Sequence, residues 1–158
     1  MNSDSPAVPV PDLPPGVAGY VDHIGIAVTD LASGLRLYRD LLGLELERIE
    51  QLPQEQVEVA FLKLDRHGSP GHVELLAPLG PEGDIARYLA KKGPGLHHLA
   101  VGATNVRQAL AACREAGLQL LDDEPRPGAG GKAICFLHPR ATGGVLLEIC
   151  GPADVVSD

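Results

Sequence analysis

The chain contains no tryptophan, and its aromatic side chains amount to three tyrosines and two phenylalanines. A core resting on large rings is therefore excluded, and the interior must be built from Leu, Val, Ile and Ala. Basic residues are also scarce: 13 Lys and Arg stand against 21 Asp and Glu, a net charge of −8. General nucleic-acid binding needs a basic footprint that this balance does not provide. An anionic small molecule is not excluded, because a metal ion or a few local cations can reverse the field inside a pocket. No apolar run approaches the ~20 residues of a membrane-spanning helix, so no membrane partner is expected. The three cysteines, Cys113, Cys135 and Cys150, are isolated and show no CxxC spacing. Such a set reads as reduced, buried thiols in a cytoplasmic protein.

The first nineteen residues, MNSDSPAVPVPDLPPGVAG, are rich in Pro and lack Lys and Arg. They fit neither a secretory signal nor a mitochondrial leader. A disordered or extended tail is expected over 1–19, and a shorter one over 153–158. The length, 158 residues, allows burial of roughly 70% of the surface exposed on unfolding, enough for one domain or two fused half-size modules.

What is present is a repeat. His23 in VDHIGIAV and His98 in GLHHLAV lie 75 positions apart (98 − 23). Glu74 in HVELLAP and Glu148 in LLEICGP lie 74 apart (148 − 74). Asp30 maps to Asn105 and Gly43 to Gly117, each pair flanking an amphipathic stretch. The periodicity predicts the same order of elements in both halves. A strand over 21–28 leads to a helix capped by Asp30 and stopped by Gly43. Strands are expected over 44–50, 57–64 and 72–76, with a turn-rich connection over 65–71. A linker helix over 84–92 ends at Gly93 and Pro94. The second half predicts a strand over 98–103, a helix over 106–116 capped by Asn105, and strands over 118–121, 133–138 and 145–149. The run EPRPGAGGK, Glu124 to Lys132, reads as a loop that covers a pocket.

Two copies of one unit thus supply two imidazoles and two carboxylates at equivalent places. Glu74 and Glu148 stand inside apolar runs, where an ionised carboxylate incurs a severe desolvation cost unless it is paired or metal-bound. A pseudo-twofold arrangement would bring His23, Glu74, His98 and Glu148 to one centre, a divalent-metal site. His97 is expected on the opposite sheet face from His98, and His138 near a strand end that lines the pocket.

The chain resembles the vicinal oxygen chelate superfamily, whose members are built from paired βαβββ modules. Within it, the chain is similar to the methylmalonyl-CoA epimerases. The matching segments are DHIGIAV, LPQEQVEVAFL, VELLAPLG, GLHHLAV and LLDDEPRPGAGGKAICFLHPRATGGVLLEI, covering nearly everything from Val21 to Gly151. The resemblance implies an α+β fold with a curved mixed sheet around a metal site. It places a vicinal oxygen chelate domain at 20–152, with module one at 20–78, a linker helix region at 79–94 and module two at 95–152.

It further implies that His23, Glu74, His98 and Glu148 hold one divalent ion: cobalt, manganese, nickel, zinc or magnesium. The implied substrate is a CoA thioester whose C2 centre is inverted by removal and return of a proton, through an enolate that the ion stabilises. Glu148 matches one of the family's two acid/base glutamates. The other falls on Val59, with Glu58 one place earlier and so on the opposite strand face unless a bulge intervenes. Lys132, after a Gly-rich run, is the first candidate for a CoA phosphate; Arg87, Lys91, Lys92, Arg126 and Arg140 are others. A homodimer is expected from the superfamily. Two alternatives stand beside it: a glyoxalase I-type lyase, which uses a similar two-His, two-Glu site, and a non-catalytic small-molecule-binding member of the superfamily, a kind that generally lacks the complete ligand set.

Overall fold

The computed structural model describes residues 15–64 and 71–153. The expected tails at 1–14 and 154–158 and most of the 65–71 connection lie outside these residues. The elements alternate in the repeated order the sequence suggests. Module one consists of β1 (Val17–Ala27), α1 (Leu31–Leu35), β2 (Glu45–Leu52), β3 (Val57–Lys63) and β4 (His72–Pro78). The α2 helix (Asp84–Lys92) links it to β5 (Gly95–Ala103), α3 (Val106–Glu115), β6 (Arg126–Pro127), β7 (Lys132–Leu137) and β8 (Leu147–Pro152).

Helix starts follow from side-chain caps. Asp30 accepts a 2.8 Å bond from the Ser33 amide, and Asn105 a 2.9 Å bond from the Gln108 amide. Each carboxamide or carboxylate satisfies an amide that the first helical turn leaves without a partner. α1 continues as a π-helical stretch over Arg36–Leu41 before Gly43, at φ 75°, turns the chain.

All eight strands form one sheet in the order β2-β3-β4-β1-β5-β8-β7-β6. Read from the centre outward, β1-β4-β3-β2 of module one is answered by β5-β8-β7-β6 of module two. The register carries the same symmetry. His23 pairs with Ala100 and Gly25 with His98, two pairs that exchange under a shift of 75 (23 + 75 = 98; 25 + 75 = 100). Gly25 also pairs with Glu74, and its counterpart Ala100 pairs with Glu148.

Strand alternation divides the side chains between two faces. On one face Val73, Leu75 and Ala77 pack with Ala60, Leu62 and the α1 leucines 31 and 35. Cys135, Leu137 and Ile149 pack there against Val106, Ala109 and Leu110 of α3. The other face carries His23, Glu74 and Glu148, with Val57, Val59, Phe61 and Leu76 beside them. α1 and α3 therefore cover one apolar face, while α2 borders the other, where Ile85 packs with Val57, Val59 and Leu76 beside the polar groups.

Three expectations need correction. β1 begins at Val17, so residues 17–19 belong to the sheet rather than to a tail, and the Gly16 carbonyl accepts from the Thr104 amide at 2.8 Å. The 118–121 segment is not a strand: among the described residues only Leu120 bridges, to Leu137 at the end of the β7 edge whose start, Ala133 and Ile134, the short β6 takes, while β8 occupies the opposite edge. The 124–132 loop contains β6 and a 3₁₀ turn at Ala129–Gly131.

Candidate metal centre

The repeat delivers its four candidate ligand residues to one place. The Nε2 atoms of His23 and His98 lie 3.0 Å apart. Glu148 reaches both, with Oε1 3.6 Å from His23 Nε2 and Oε2 3.3 Å from His98 Nε2. Glu74 stands slightly apart from this trio: its Oε1 lies 3.5 Å from the other ring nitrogen of His23, Nδ1. All four side chains are buried. They line a cavity of about 510 Å³, bounded also by Val59, Leu76, Ile134 and Phe136.

Why the imidazoles fit is a matter of close approach. Gly25 sits directly opposite His98 in the register, and a Cβ there would come within 2.2 Å of His98 Cε1. The missing side chain is the space the imidazole occupies.

Burial sets the protonation. It pushes the Glu148 carboxyl up to about 7, against the opposing pull of His23. It also raises Glu74. The burial of His98 lowers it to about 2. Burial also disfavours charge on His23, yet its bond to Asp22 and the nearby Glu74 and Glu148 outweigh that and raise it. Two buried carboxyls and two imidazoles whose Nε2 atoms converge are the donor chemistry of a divalent-cation site. Such a cation would replace the protons that the buried carboxyls otherwise hold.

The linkage has a definite sign. A buried carboxyl raised above its unfolded value holds its proton where the unfolded chain has released it, so stability falls as pH rises between the two values. For Glu148 that window runs from about 4.5 to about 7. His23, raised by its partners, loses its contribution as pH climbs through its own folded value, in the same direction. Metal-free protein is therefore expected to become less stable between about pH 4 and about pH 7.5, by roughly 3 kcal/mol from Glu148 alone. Melting curves across that range check it: Glu148→Gln should flatten the profile, and a stability that rises with pH would contradict it.

Other residues fall differently from expectation. Val59 lines the cavity, whereas Glu58 lies on the opposite face, accepting 3.0 Å from the Gln51 side-chain amide. β3 pairs with β4 without a register break from Val57 to Lys63, so no bulge rescues Glu58. His97 was expected on the far face; it lines the cavity instead, with Nδ1 3.0 Å from His98 Nδ1. The register explains this: Gly25 pairs with His98 and Ile26 with Leu96, so His97 is an extra residue in β5. His138 does not line the cavity; its ring caps the Pro139–Ala141 turn by accepting from the Arg140 amide at 3.1 Å.

Lys132 is on the cavity wall, but its Nζ lies 2.5 Å from Asp22 Oδ1. Asp22 is a buried group that the sequence reading passed over, and its same oxygen lies 2.9 Å from His23 Nδ1. Arg87, Lys91 and Arg126 also line the cavity, and Arg126 reaches Glu55 at 3.0 Å from the other module. Cys135 and Cys150 are buried free thiols, and burial raises both. Among the described residues, no helix is long and apolar enough to cross a membrane.

Comparison with known proteins agrees with this architecture. Residues 22–136 match the Glyoxalase/Bleomycin resistance protein/Dioxygenase superfamily. The mitochondrial methylmalonyl-CoA epimerase of Mus musculus is 36% identical over 132 residues, 83% of this chain and 72% of its own. The ethylmalonyl-CoA/methylmalonyl-CoA epimerase of Cereibacter sphaeroides is 36% identical over 133 residues, 83% of this chain and 96% of its own. Among solved structures, a variant Streptomyces coelicolor methylmalonyl-CoA epimerase in complex with 2-nitronate-propionyl-CoA superposes with a TM-score of 0.79 at 38% identity, covering 88% of this chain and 98% of that one. With 115 residues matched (136 − 22 + 1) and near full-length relatives at this identity, the chain belongs to the glyoxalase/bleomycin resistance protein/dioxygenase superfamily and, within it, to the methylmalonyl-CoA epimerase family.

Proposed function

We propose that this chain is a metal-dependent isomerase that inverts C2 of methylmalonyl-CoA or a close 2-substituted malonyl thioester. The observation that carries this reading is the meeting of His23, His98 and Glu148 on the wall of one cavity, in a chain whose family acts on such thioesters. At about 510 Å³ the cavity is of the size that encloses a small acyl group.

His23, His98 and Glu148, with Glu74 beside them, would hold one divalent ion: cobalt, manganese, nickel, zinc or magnesium. Such an ion supplies positive charge against a substrate oxygen that becomes anionic as the proton leaves. The chain's own groups do the rest. Glu148, a buried carboxyl on the cavity wall, takes the C2 proton. Val59, Leu76, Ile134 and Phe136 form a wall that keeps water from the carbanion. β3 offers no carboxylate to the opposite face, since Val59 lines the cavity and Glu58 points away. The returning proton therefore comes from a group other than a β3 glutamate. The CoA phosphates fall to Lys91 of α2 on the cavity wall, because the Lys132 ammonium is engaged with Asp22 and the Arg87 guanidinium with Asp84.

A glyoxalase I-type reaction uses a related ligand set, so substrate comparison tests the reading. Metal-loaded protein is expected to favour methylmalonyl-CoA over a glutathione hemithioacetal by at least about 100-fold in kcat/KM. The reverse preference, or turnover of neither, would overturn the proposal.

A further inference from the structure

We propose that Asp22 and His97 are a pseudo-symmetric pair of positioning residues, each turned onto the cavity face by a β-bulge to fix the tautomer of the ligand histidine that follows it. The inference rests on the metal reading above.

The two residues are equivalent in sequence: 22 + 75 = 97, as 23 + 75 = 98. On an unbroken strand each would face away from its neighbour. Neither strand is unbroken here. Val21 pairs with Val101 and His23 with Ala100, which leaves Asp22 as an extra residue in β1. Gly25 pairs with His98 and Ile26 with Leu96, which leaves His97 as an extra residue in β5. Each bulge thus falls immediately before a ligand histidine, and a bulge re-aims the side chain it carries.

Both re-aimed groups meet the same atom of their neighbour. Asp22 Oδ1 lies 2.9 Å from His23 Nδ1, and His97 Nδ1 lies 3.0 Å from His98 Nδ1. A carboxylate can only accept, so His23 Nδ1 donates, and in the neutral ring that binds a metal its Nε2 keeps a free lone pair. A bond between two Nδ1 atoms needs one proton between them. With His98 Nε2 facing the centre, that proton sits on His98 Nδ1, and His97 accepts through Nδ1 while carrying its own hydrogen on Nε2. Both Nε2 lone pairs then point at the gap they share with Glu148.

Each partner is braced in turn from outside its strand. Lys132 of β7 holds Asp22 at 2.5 Å. The Tyr88 hydroxyl of α2 donates to the Leu96 carbonyl at 2.6 Å, and its ring packs edge-on against His97 at 4.8 Å between centroids. The pair is unequal in chemistry: a carboxylate strengthens its histidine as a donor more than a neutral imidazole does. Loss of Asp22 should therefore cost more than loss of His97.

Two measurements test this. Co²⁺ titration of metal-free protein should give affinities about 10–100-fold weaker for Asp22→Ala, with a smaller loss for His97→Phe. Asp22→Asn, whose carbonyl can still accept from Nδ1, should recover part of the loss. The Asp22→Ala/Lys132→Met double variant removes the ammonium that Asp22→Ala would strand, and should stay as weak as the single variant. Nitrogen-15 NMR of the unsubstituted Zn²⁺-loaded protein should show Nδ1–H on His23 and His98, and Nε2–H on His97; this holds whether or not the variants fold. Nδ1-bound metal on either histidine, or a double variant binding Co²⁺ within twofold of the parent, would overturn the inference alone. Failure of the parent to bind either ion would overturn it together with the metal reading.

Discussion

Glu148→Gln is expected to slow proton exchange at C2 of methylmalonyl-CoA by about 10³-fold, the middle of the range that a positioned acid/base group contributes. The substitution keeps shape and removes the ability to hold a proton. Glu148 is buried on β8, 3.3 Å from His98 Nε2 and 3.6 Å from His23 Nε2, and the proposed reaction uses it both as a ligand and as the base. These two losses separate by experiment. The Gln side-chain oxygen can still face the ion, so saturating metal should restore occupancy without restoring exchange. Metal content measured on the same sample makes the comparison direct. A saturated variant within tenfold of the parent would remove Glu148 from the role of base.

Gly25→Ala is expected to be nearly as damaging, for a geometric reason. The new Cβ would lie 2.2 Å from Cε1 and 2.4 Å from Nδ1 of His98. No such pair of atoms can persist, so the imidazole must shift. A displacement on the order of 1 Å at a reacting centre costs about 10²-fold in rate, and overfilling a packed site costs about 1–3 kcal/mol of stability. Ala100, the counterpart in module two, already carries a buried Cβ opposite His23. The two halves are thus not interchangeable, and only the His98 side requires glycine. Melting curves, Co²⁺ affinity and exchange rate measured together check this; a variant with the parent's metal affinity would contradict the packing argument.

Much of the framework was legible in the sequence because it rests on local signals. Asp30 and Asn105 cap their helices as the pattern requires, and α2 occupies Asp84–Lys92 as the periodicity indicates. The 75-residue and 74-residue spacings led to His23, His98, Glu74 and Glu148, which the structure places around one cavity. The bulges were not legible. A bulge is a property of two strands in register, whereas alternation is read along one, so His97 was assigned to the wrong face. Asp22 was passed over for a related reason: beside a histidine on a regular strand, a carboxylate faces away. Its equivalence to His97 at the same spacing of 75 was the available signal. The 118–121 segment has a strand's composition but meets β7 at only one bridge, Leu120 with Leu137, and how far two segments run side by side is not written in the composition of either.

The central claim is that this cavity removes and returns the C2 proton of a malonyl-type thioester. Deuterium incorporation from heavy water into a single C2 epimer of methylmalonyl-CoA, read by mass spectrometry with the stereochemical conversion, tests it most directly. The slow spontaneous exchange is subtracted, and the reaction is run with and without a chelator. Fast exchange accompanied by inversion, abolished by the chelator and restored by a divalent ion, is the predicted result. Absence of exchange in folded, metal-loaded protein would contradict the account.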